Sequence, residues 1–140
     1  MNVIHQEGLA MPVDQALINI ILNEAGNPSP YKTKITAVSL LFKNLSYGAE
    51  NGGYHPVEIR LISRNDEWYF DYITDFSYMG TVYPELEKEI DISWSQQYVF
   101  LAHVGDLPVN AGRELFELWQ SNFIQYHAMN VYTITVLWES

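Results

Sequence analysis

The sequence predicts an α+β fold, in which a twisted antiparallel sheet of about five to seven strands carries two main helices, at about 12–25 and 110–127. Two segments with helical periodicity predict the helices, and a tight hairpin pattern between them predicts antiparallel pairing. A final segment rich in β-branched residues, at 130–138, predicts a closing strand. The length of 140 residues suits a single domain, residues 1–140.

The first helix is bounded by residues that suit helix ends. Pro12 fits a first helical position, and Asp14 favours the positive end of the helix dipole. Gly26 ends the pattern, because glycine readily adopts the conformation that stops a helix. The apolar side chains cover about half of the helix circumference, so we expect this helix to be well covered. They are Val13, Leu17, Ile18, Ile20, Ile21 and Leu22.

The clearest local pattern is a β hairpin with a two-residue turn at 65–66. That turn sets residues of opposite charge against each other on one face and apolar residues against each other on the other face. A shift of the register by one residue would destroy both patterns, so the pattern defines the register. The predicted pairs are Arg64 with Glu67, Arg60 with Asp71, Leu61 with Phe70, Ile59 with Tyr72 and Val57 with Thr74.

Three further segments also have strand character. Residues 35–43 combine β-branched and apolar side chains with little interruption, as in a strand in the middle of a sheet. Residues 86–93 alternate in the manner of a strand, and 97–104 predict another short one. The acids Glu85, Glu87 and Glu89 lie along this part of the chain, where we expect a solvated edge.

The charge distribution restricts the classes of partner. The net charge is −10, and the whole excess lies in residues 65–140, which carry twelve acidic and two basic residues. Residues 1–64 balance five acids with five bases. Phosphate backbones and anionic lipids would be repelled by such an acidic half, so we expect no nucleic-acid partner and no membrane partner. A basic protein partner is compatible with it.

The composition also limits the chemistry. The chain has no cysteine, which excludes a disulfide framework, a thiolate metal site and a cysteine nucleophile. The four histidines lack metal-motif spacing and no Gly-x-Ser-x-Gly motif is present, so we expect no metal, no cofactor and no catalytic residue. We expect neither a secretory signal nor a membrane span, which favours a cytoplasmic location.

The residues 51–55, Asn-Gly-Gly-Tyr-His, form the main candidate for a binding loop. His55 stands before the first strand of the hairpin, and the hairpin register places Asp75 beside it, opposite Pro56. A histidine paired with a carboxylate beside a glycine loop is able to act as a general base. The candidate binding residues are Gly52, Gly53, Tyr54, His55, Asp75 and Asn122.

A structural role is the alternative for each part of this candidate. Gly52 and Gly53 permit positive φ in a turn that leads into the hairpin, and His55 suits the entry of a strand. Asn122 projects into the middle of the apolar arc of the second helix, where an unpaired buried amide would cost about 1–3 kcal/mol. We therefore expect Asn122 either to bond to nearby backbone and dock the helix, or to line a pocket.

The chain resembles an uncharacterised family of small proteobacterial proteins, a domain of unknown function, in four ordered motifs: GGYHPVEIRL, YITDFSYMG, YPELEKEIDIS and ELWQSNF. The resemblance spans residues 12–138. The fold of that family is similar to that of acidic mitochondrial matrix proteins that bind the globular heads of a complement component. The resemblance implies a twisted antiparallel sheet with helices packed on it, promiscuous protein binding, and a homo-oligomer in the form of a ring-shaped trimer.

Two functions stay open at this point. The first, which the sequence favours, is a non-enzymatic acidic protein-interaction module, and it rests on the acidic second half and the resemblance. The second is a small-molecule binder or hydrolase that uses the loop 52–55 with Asp75 and Asn122. The first predicts a contiguous acidic surface, whereas the second predicts a concave pocket where these groups converge.

Overall fold

A computed structural model describes residues 1–28 and 34–140 of the chain. Within these ranges the chain forms two helices and eight strands. In chain order they are β1 (Ile4–His5), α1 (Gln15–Ala25), β2 (Ala37–Lys43), β3 (Val57–Arg64), β4 (Glu67–Met79), β5 (Glu85–Ser93), β6 (Tyr98–Leu101), β7 (Gly105–Asp106), α2 (Val109–Ala128) and β8 (Thr133–Glu139).

The strands form one sheet in the order β7-β6-β5-β4-β3-β2-β8, and every neighbouring pair in this order is antiparallel. β1 pairs in parallel with the start of β4, at Trp68 and Tyr69. The predicted α+β class is confirmed, and the eight described strands slightly exceed the predicted range. The two strands without a counterpart in the prediction are β1 and β7, whose two residues are too few to show an alternating pattern.

Both helices pack on the sheet, and the hydrophobic core lies between them and the strands. The predicted helices are present, although α1 begins at Gln15, later than the predicted start at 12. Leu17 and Ile21 are fully buried, which confirms the expected coverage of α1. Alternate strand residues such as Leu40 and Ile59 complete the core. Neither of the two described helices is long and apolar enough to cross a membrane.

A buried amide, Gln120 of α2, joins the two helices. Its Oε1 accepts a hydrogen bond from the backbone N–H of Asp14 at 2.9 Å, and its Nε2 donates to the carbonyl of Pro12 at 3.1 Å. These bonds satisfy backbone groups at the start of α1, where Asp14 makes no side-chain cap. The helix-docking role that was one expectation for Asn122 therefore belongs to Gln120.

The hairpin between β3 and β4 turns at Asn65 and Asp66, both with positive φ, as a two-residue turn requires. The register is the predicted one from this turn as far as the pair of Leu61 with Phe70. Beyond that pair the register shifts by one residue at a β-bulge, where Asp71 has no directly opposite residue.

The predicted pairs beyond this bulge are wrong. Ile59 lies opposite Ile73, and Arg60 lies opposite Tyr72. Arg60 still binds the predicted carboxylate of Asp71, with 2.6 Å between Nη1 and Oδ2. The bulge turns Ile73 into the core and sends Tyr72 to the opposite face, where its hydroxyl donates to Glu58. Since tyrosine suits either face of a sheet, the alternating pattern conceals the shift.

The far end of the β4–β5 hairpin extends past the pairing of β4 with β3. We call this segment, residues 76–88, the arm. All of its residues from 80 to 88 are exposed. Among them are the large apolar side chains Val82 and Tyr83 and the acids Glu85 and Glu87. The arm therefore presents apolar and acidic groups together to solvent.

Candidate functional site

A cavity of about 550 Å³ lies between α2 and the helix-facing side of β3, β4 and β5. Its volume falls in the range of about 300–1,000 Å³ that is typical of small-molecule sites. The residues that line it come from the loop before β3, from those three strands, from α2 and from the segment before β8. Elements distant in sequence therefore build one concave surface.

Five of the six candidate binding residues line this cavity, namely Gly53, Tyr54, His55, Asp75 and Asn122. The sixth, Gly52, lies outside the lining and has a φ of 63°. Gly53 has a φ of 124° where its backbone passes the side chain of Tyr47. Both glycines thus hold positive φ in the turn that leads into the hairpin, and this turn carries the next two residues into the cavity wall.

His55, Asp75 and Glu89 form an ion cluster on the sheet side of the cavity. Nδ1 of His55 lies 2.7 Å from Oδ1 of Asp75 and 2.9 Å from Oε2 of Glu89. Carboxylate oxygens accept hydrogen bonds, so Nδ1 carries a proton that faces both of them. Asp75 lies opposite Val57 rather than the predicted Pro56, because of the bulge described above, yet it still reaches His55.

Glu89 reaches this cluster because of a second β-bulge. The partners of Asp75 and Phe76 on β5 are not consecutive, and Glu89 is the extra residue between them. A bulge of this kind re-aims a side chain. The expected solvated edge holds for Glu85 and Glu87, which are exposed, whereas Glu89 is half-buried beside the histidine.

Asp75 is held from the helix side as well. Its side chain lies almost out of contact with water, and its Oδ2 accepts a hydrogen bond from Nε1 of Trp119 at 3.1 Å. Each carboxylate oxygen therefore has its own donor, one on the loop before β3 and one on α2, so the orientation of the carboxylate is defined.

The hydrogen bond to Asp75 raises the pKa of His55 above its ordinary value; burial opposes this effect, and the charges of Asp75 and Glu89 add to it. The imidazole is therefore held in its charged form to higher pH than a free histidine. The ring of Tyr47 packs against the imidazole, with ring centroids 5.3 Å apart. With the histidine charged, two carboxylates leave the cluster with one net negative charge.

Aromatic side chains form much of the cavity wall. Tyr54 packs against Tyr126 with ring centroids 4.7 Å apart. Tyr132 lies near the ion cluster, and burial, helped by the charge of Asp75, raises its pKa. Its phenol therefore remains protonated and can serve as a hydrogen-bond donor inside the cavity.

The α2 side of the cavity exposes apolar surface. Leu118 lines the cavity and is nevertheless 62% exposed, and Asn122, one turn further along α2, is exposed as well. Asn122 is therefore not the buried amide that the apolar arc predicted, and it borders the cavity instead. On the same apolar arc of α2, Phe116 is buried in the core whereas Leu118 lines the cavity.

The donor groups of the lining limit its chemistry. Within the described part of the chain, hydroxyl groups in the lining come from tyrosines alone. Ser46 is exposed, and Ser77 is buried outside the lining.

His55, Asp75 and Glu89 each offer one possible metal ligand, and these atoms lie within 4.8 Å of one another. Because the three come from different segments, no local spacing motif could reveal them.

Two solved structures from Vibrio cholerae are similar to this fold. The hypothetical protein VC0508 from the VSP-II pathogenicity island is 34% identical with a TM-score of 0.82, over 96% of this chain and 99% of that chain. The conserved hypothetical protein VC1805 from pathogenicity island VPI-2 is 33% identical with a TM-score of 0.76, over 96% of this chain and 100% of that chain. VC1805 is described as sharing structural homology with the human P32 protein.

A comparison with curated proteins found no match. The sequence matches the family described as "Protein of unknown function (DUF2787)" over residues 15–137. This match covers most of the chain and confirms the resemblance to an uncharacterised family. The chain belongs to the DUF2787 family of proteins of unknown function.

Proposed function

We propose that this protein binds a small organic molecule in the cavity between α2 and the sheet. The proposal rests on one feature of the structure. A single concavity combines the ion cluster of His55, Asp75 and Glu89 with aromatic and aliphatic walls. Small-molecule sites are commonly built in this way, from mostly apolar walls and a few converging polar groups.

The lining indicates what kind of molecule would fit. Leu115, Trp119 and Tyr126 offer an apolar surface for a flat or aliphatic body. The carboxylate of Glu89 and the protonated phenol of Tyr132 offer hydrogen bonds on the sheet side. The ligand class is therefore an amphipathic small molecule with its polar end toward the ion cluster.

A cavity left by imperfect packing would look different. Empty packing defects are lined by apolar groups. Here Asp75 is buried in the wall, and α2 leaves Leu118 largely in contact with water. Removing a carboxylate from water costs free energy, so a buried, hydrogen-bonded Asp75 is not expected in the wall of a simple packing defect. A bound ligand would cover Leu118 and contact the polar groups of the wall.

Asn122→Trp is expected to weaken ligand binding at least about tenfold, which corresponds to about 1.4 kcal/mol. The reason is steric, since Asn122 borders the cavity and is exposed, so a larger side chain can fill the cavity without disturbing the core. Ligand-observed NMR with a library of small aromatic and aliphatic fragments measures the effect.

Ser121→Trp is the matched control. Ser121 is the neighbouring exposed residue of α2 and does not line the cavity, so it receives the same bulk outside the site. We expect its fragment binding to equal that of the wild type. Equal binding by Asn122→Trp and the wild type, or equal loss in both tryptophan variants, would contradict the proposal.

The arm favours a second candidate, the acidic protein-interaction module. Val82 is 76% exposed and Tyr83 is 85% exposed, next to the acids Glu85 and Glu87. Interfaces often combine an aromatic centre with complementary charge. A basic protein partner with an apolar patch has the chemistry that such a surface would recognise.

Reversing the two arm charges with Glu85→Lys and Glu87→Lys is expected to weaken binding of a lysine-rich peptide at least about tenfold at low salt. The same charge change on the exposed side of α2, Glu114→Lys with Glu117→Lys, is the control and should change binding less than about twofold. Fluorescence anisotropy measures both. Equal weakening in the two double variants would show general attraction to an acidic protein and count against a specific arm site.

A further inference from the structure

We infer that His55, Asp75 and Glu89 form a binding site for a divalent transition-metal ion on the sheet side of the cavity. They offer one imidazole nitrogen and two carboxylate oxygens within 4.8 Å of one another. Ligand distances of about 2.0–2.2 Å place donor atoms about 3–4 Å apart around a common ion. The distances of 2.7 and 2.9 Å from Nδ1 to the two oxygens reach this range with a small side-chain rotation.

A metal ion would replace the proton that Nδ1 directs at the two carboxylates. Ligands bind metals in their deprotonated forms, so the histidine would be neutral and the two acids would each carry one negative charge. A divalent ion balances both charges, whereas the proton balances one of them. Better balance favours the ion at this place, because Asp75 is nearly removed from water.

Two features outside the cluster hold the ligands in a metal-binding arrangement. Trp119 donates its Nε1–H to Oδ2 of Asp75 and so leaves Oδ1 directed at His55. Hydrogen bonds of this kind orient the carboxylates of metal sites. The β-bulge that makes Glu89 an extra residue brings the second carboxylate to the same point. Such bulges often re-aim side chains beside functional sites.

The donor set indicates the class of ion. Nitrogen and oxygen donors without sulfur suit ions such as Zn²⁺, Mn²⁺ or Fe²⁺, and imidazole disfavours Ca²⁺ and Mg²⁺. Three protein ligands leave coordination positions open, and the neighbouring cavity has room for water or a ligand there. The metal site lies in the same cavity as the proposed small-molecule site. Metal binding is measured without any organic molecule, so a negative result for one site leaves the other untouched.

Isothermal titration of chelator-treated protein with Zn²⁺ tests the site. We expect one ion per chain in the wild type, and an affinity at least about tenfold weaker in His55→Ala and in Glu89→Gln. Co²⁺ provides a second readout, since its visible absorption reports nitrogen and oxygen coordination. Bands that differ from those of hydrated Co²⁺ are expected with the wild type and are expected to be absent with His55→Ala.

His127→Ala is the matched control. His127 is also half-buried beside a carboxylate, with Nε2 3.1 Å from Oε1 of Glu24, but within residues 1–28 and 34–140 no second acid joins that pair. We expect this variant to bind Zn²⁺ as the wild type does. Circular dichroism checks that each variant folds, and His55→Gln replaces the alanine variant if the latter does not.

Three results would overturn the inference. The first is that the wild type takes up no stoichiometric Zn²⁺. The second is that His55→Ala binds Zn²⁺ as tightly as the wild type. The third is that His127→Ala loses as much affinity for Zn²⁺ as His55→Ala does, which would mean that the ion does not bind specifically at His55.

Discussion

Replacing Asp75 by alanine in metal-free protein is expected to lower the free energy of unfolding by about 3 kcal/mol. Asp75 of β4 accepts hydrogen bonds from His55 and from Trp119. These bonds connect β4 to the loop before β3 and to α2. The alanine variant removes a charge-assisted bond and leaves the buried indole N–H of Trp119 without an acceptor. Urea denaturation of chelator-treated protein measures the change.

Asp75→Asn separates the two contributions. The asparagine keeps an acceptor oxygen for Trp119 and loses the negative charge that His55 faces, so we expect about half of the destabilisation. A loss of less than about 0.5 kcal/mol for Asp75→Ala would be typical of an ordinary surface residue and would contradict the described role of the cluster.

The pH dependence of stability provides an independent check on the same cluster. The pKa of His55 is raised above its ordinary value of 6.5, so the folded metal-free protein binds this proton more tightly than the unfolded chain. The resulting stabilisation is fully present below pH 6.5 and is lost as the pH rises through the raised folded-state pKa. Asp75→Asn should reduce this dependence, leaving the part due to Glu89.

Trp94→Ala is expected to destabilise the protein by about 4 kcal/mol, the largest effect of a single core substitution considered. Trp94 is fully buried, stacks on Phe70 with ring centroids 4.7 Å apart, and meets Phe116 of α2 edge-on. Its Nε1–H also donates to Gln6, so the N-terminal segment loses a contact as well. Urea denaturation again gives the free energy of unfolding.

Trp68→Ala is the control for this core prediction. Trp68 is only partly buried and makes an edge contact with Trp138, at 5.9 Å between ring centroids. We expect Trp68→Ala to lower the free energy of unfolding by about 2 kcal/mol, since less of the Trp68 side chain leaves water on folding. A smaller loss for the Trp94 variant than for the Trp68 variant would contradict the packing described for the core.

Elements with a short-range pattern could be predicted from the sequence. The helices, the hairpin turn at 65–66 and the proximity of His55 to Asp75 all follow from local periodicity and turn chemistry. The two bulges could not be predicted, because one extra residue does not visibly change the pattern. Tyr72 suits either face, and Glu89 lies in a segment where every second residue is charged.

The rest of the candidate site depends on tertiary packing. Trp119 has the sequence character of a core aromatic, and nothing local shows that its indole N–H meets a carboxylate. Gln120 and Asn122 are both amides, and they lie on different sides of α2. A helical wheel does not show which of these sides meets α1 and which borders a cavity. The apolar arc of α2 contains both Phe116, which is buried in the core, and Leu118, which lines the cavity, and the sequence does not distinguish the two.

A crystallographic fragment soak shows whether the cavity binds small molecules, because it locates bound fragments without assuming the identity of the ligand. We expect electron density for small aromatic or aliphatic fragments in the cavity, against Trp119 and Tyr126, with polar ends toward His55 and Glu89. Fragments bound only elsewhere on the surface, or a cavity filled by the side chain of Leu118, would contradict this expectation.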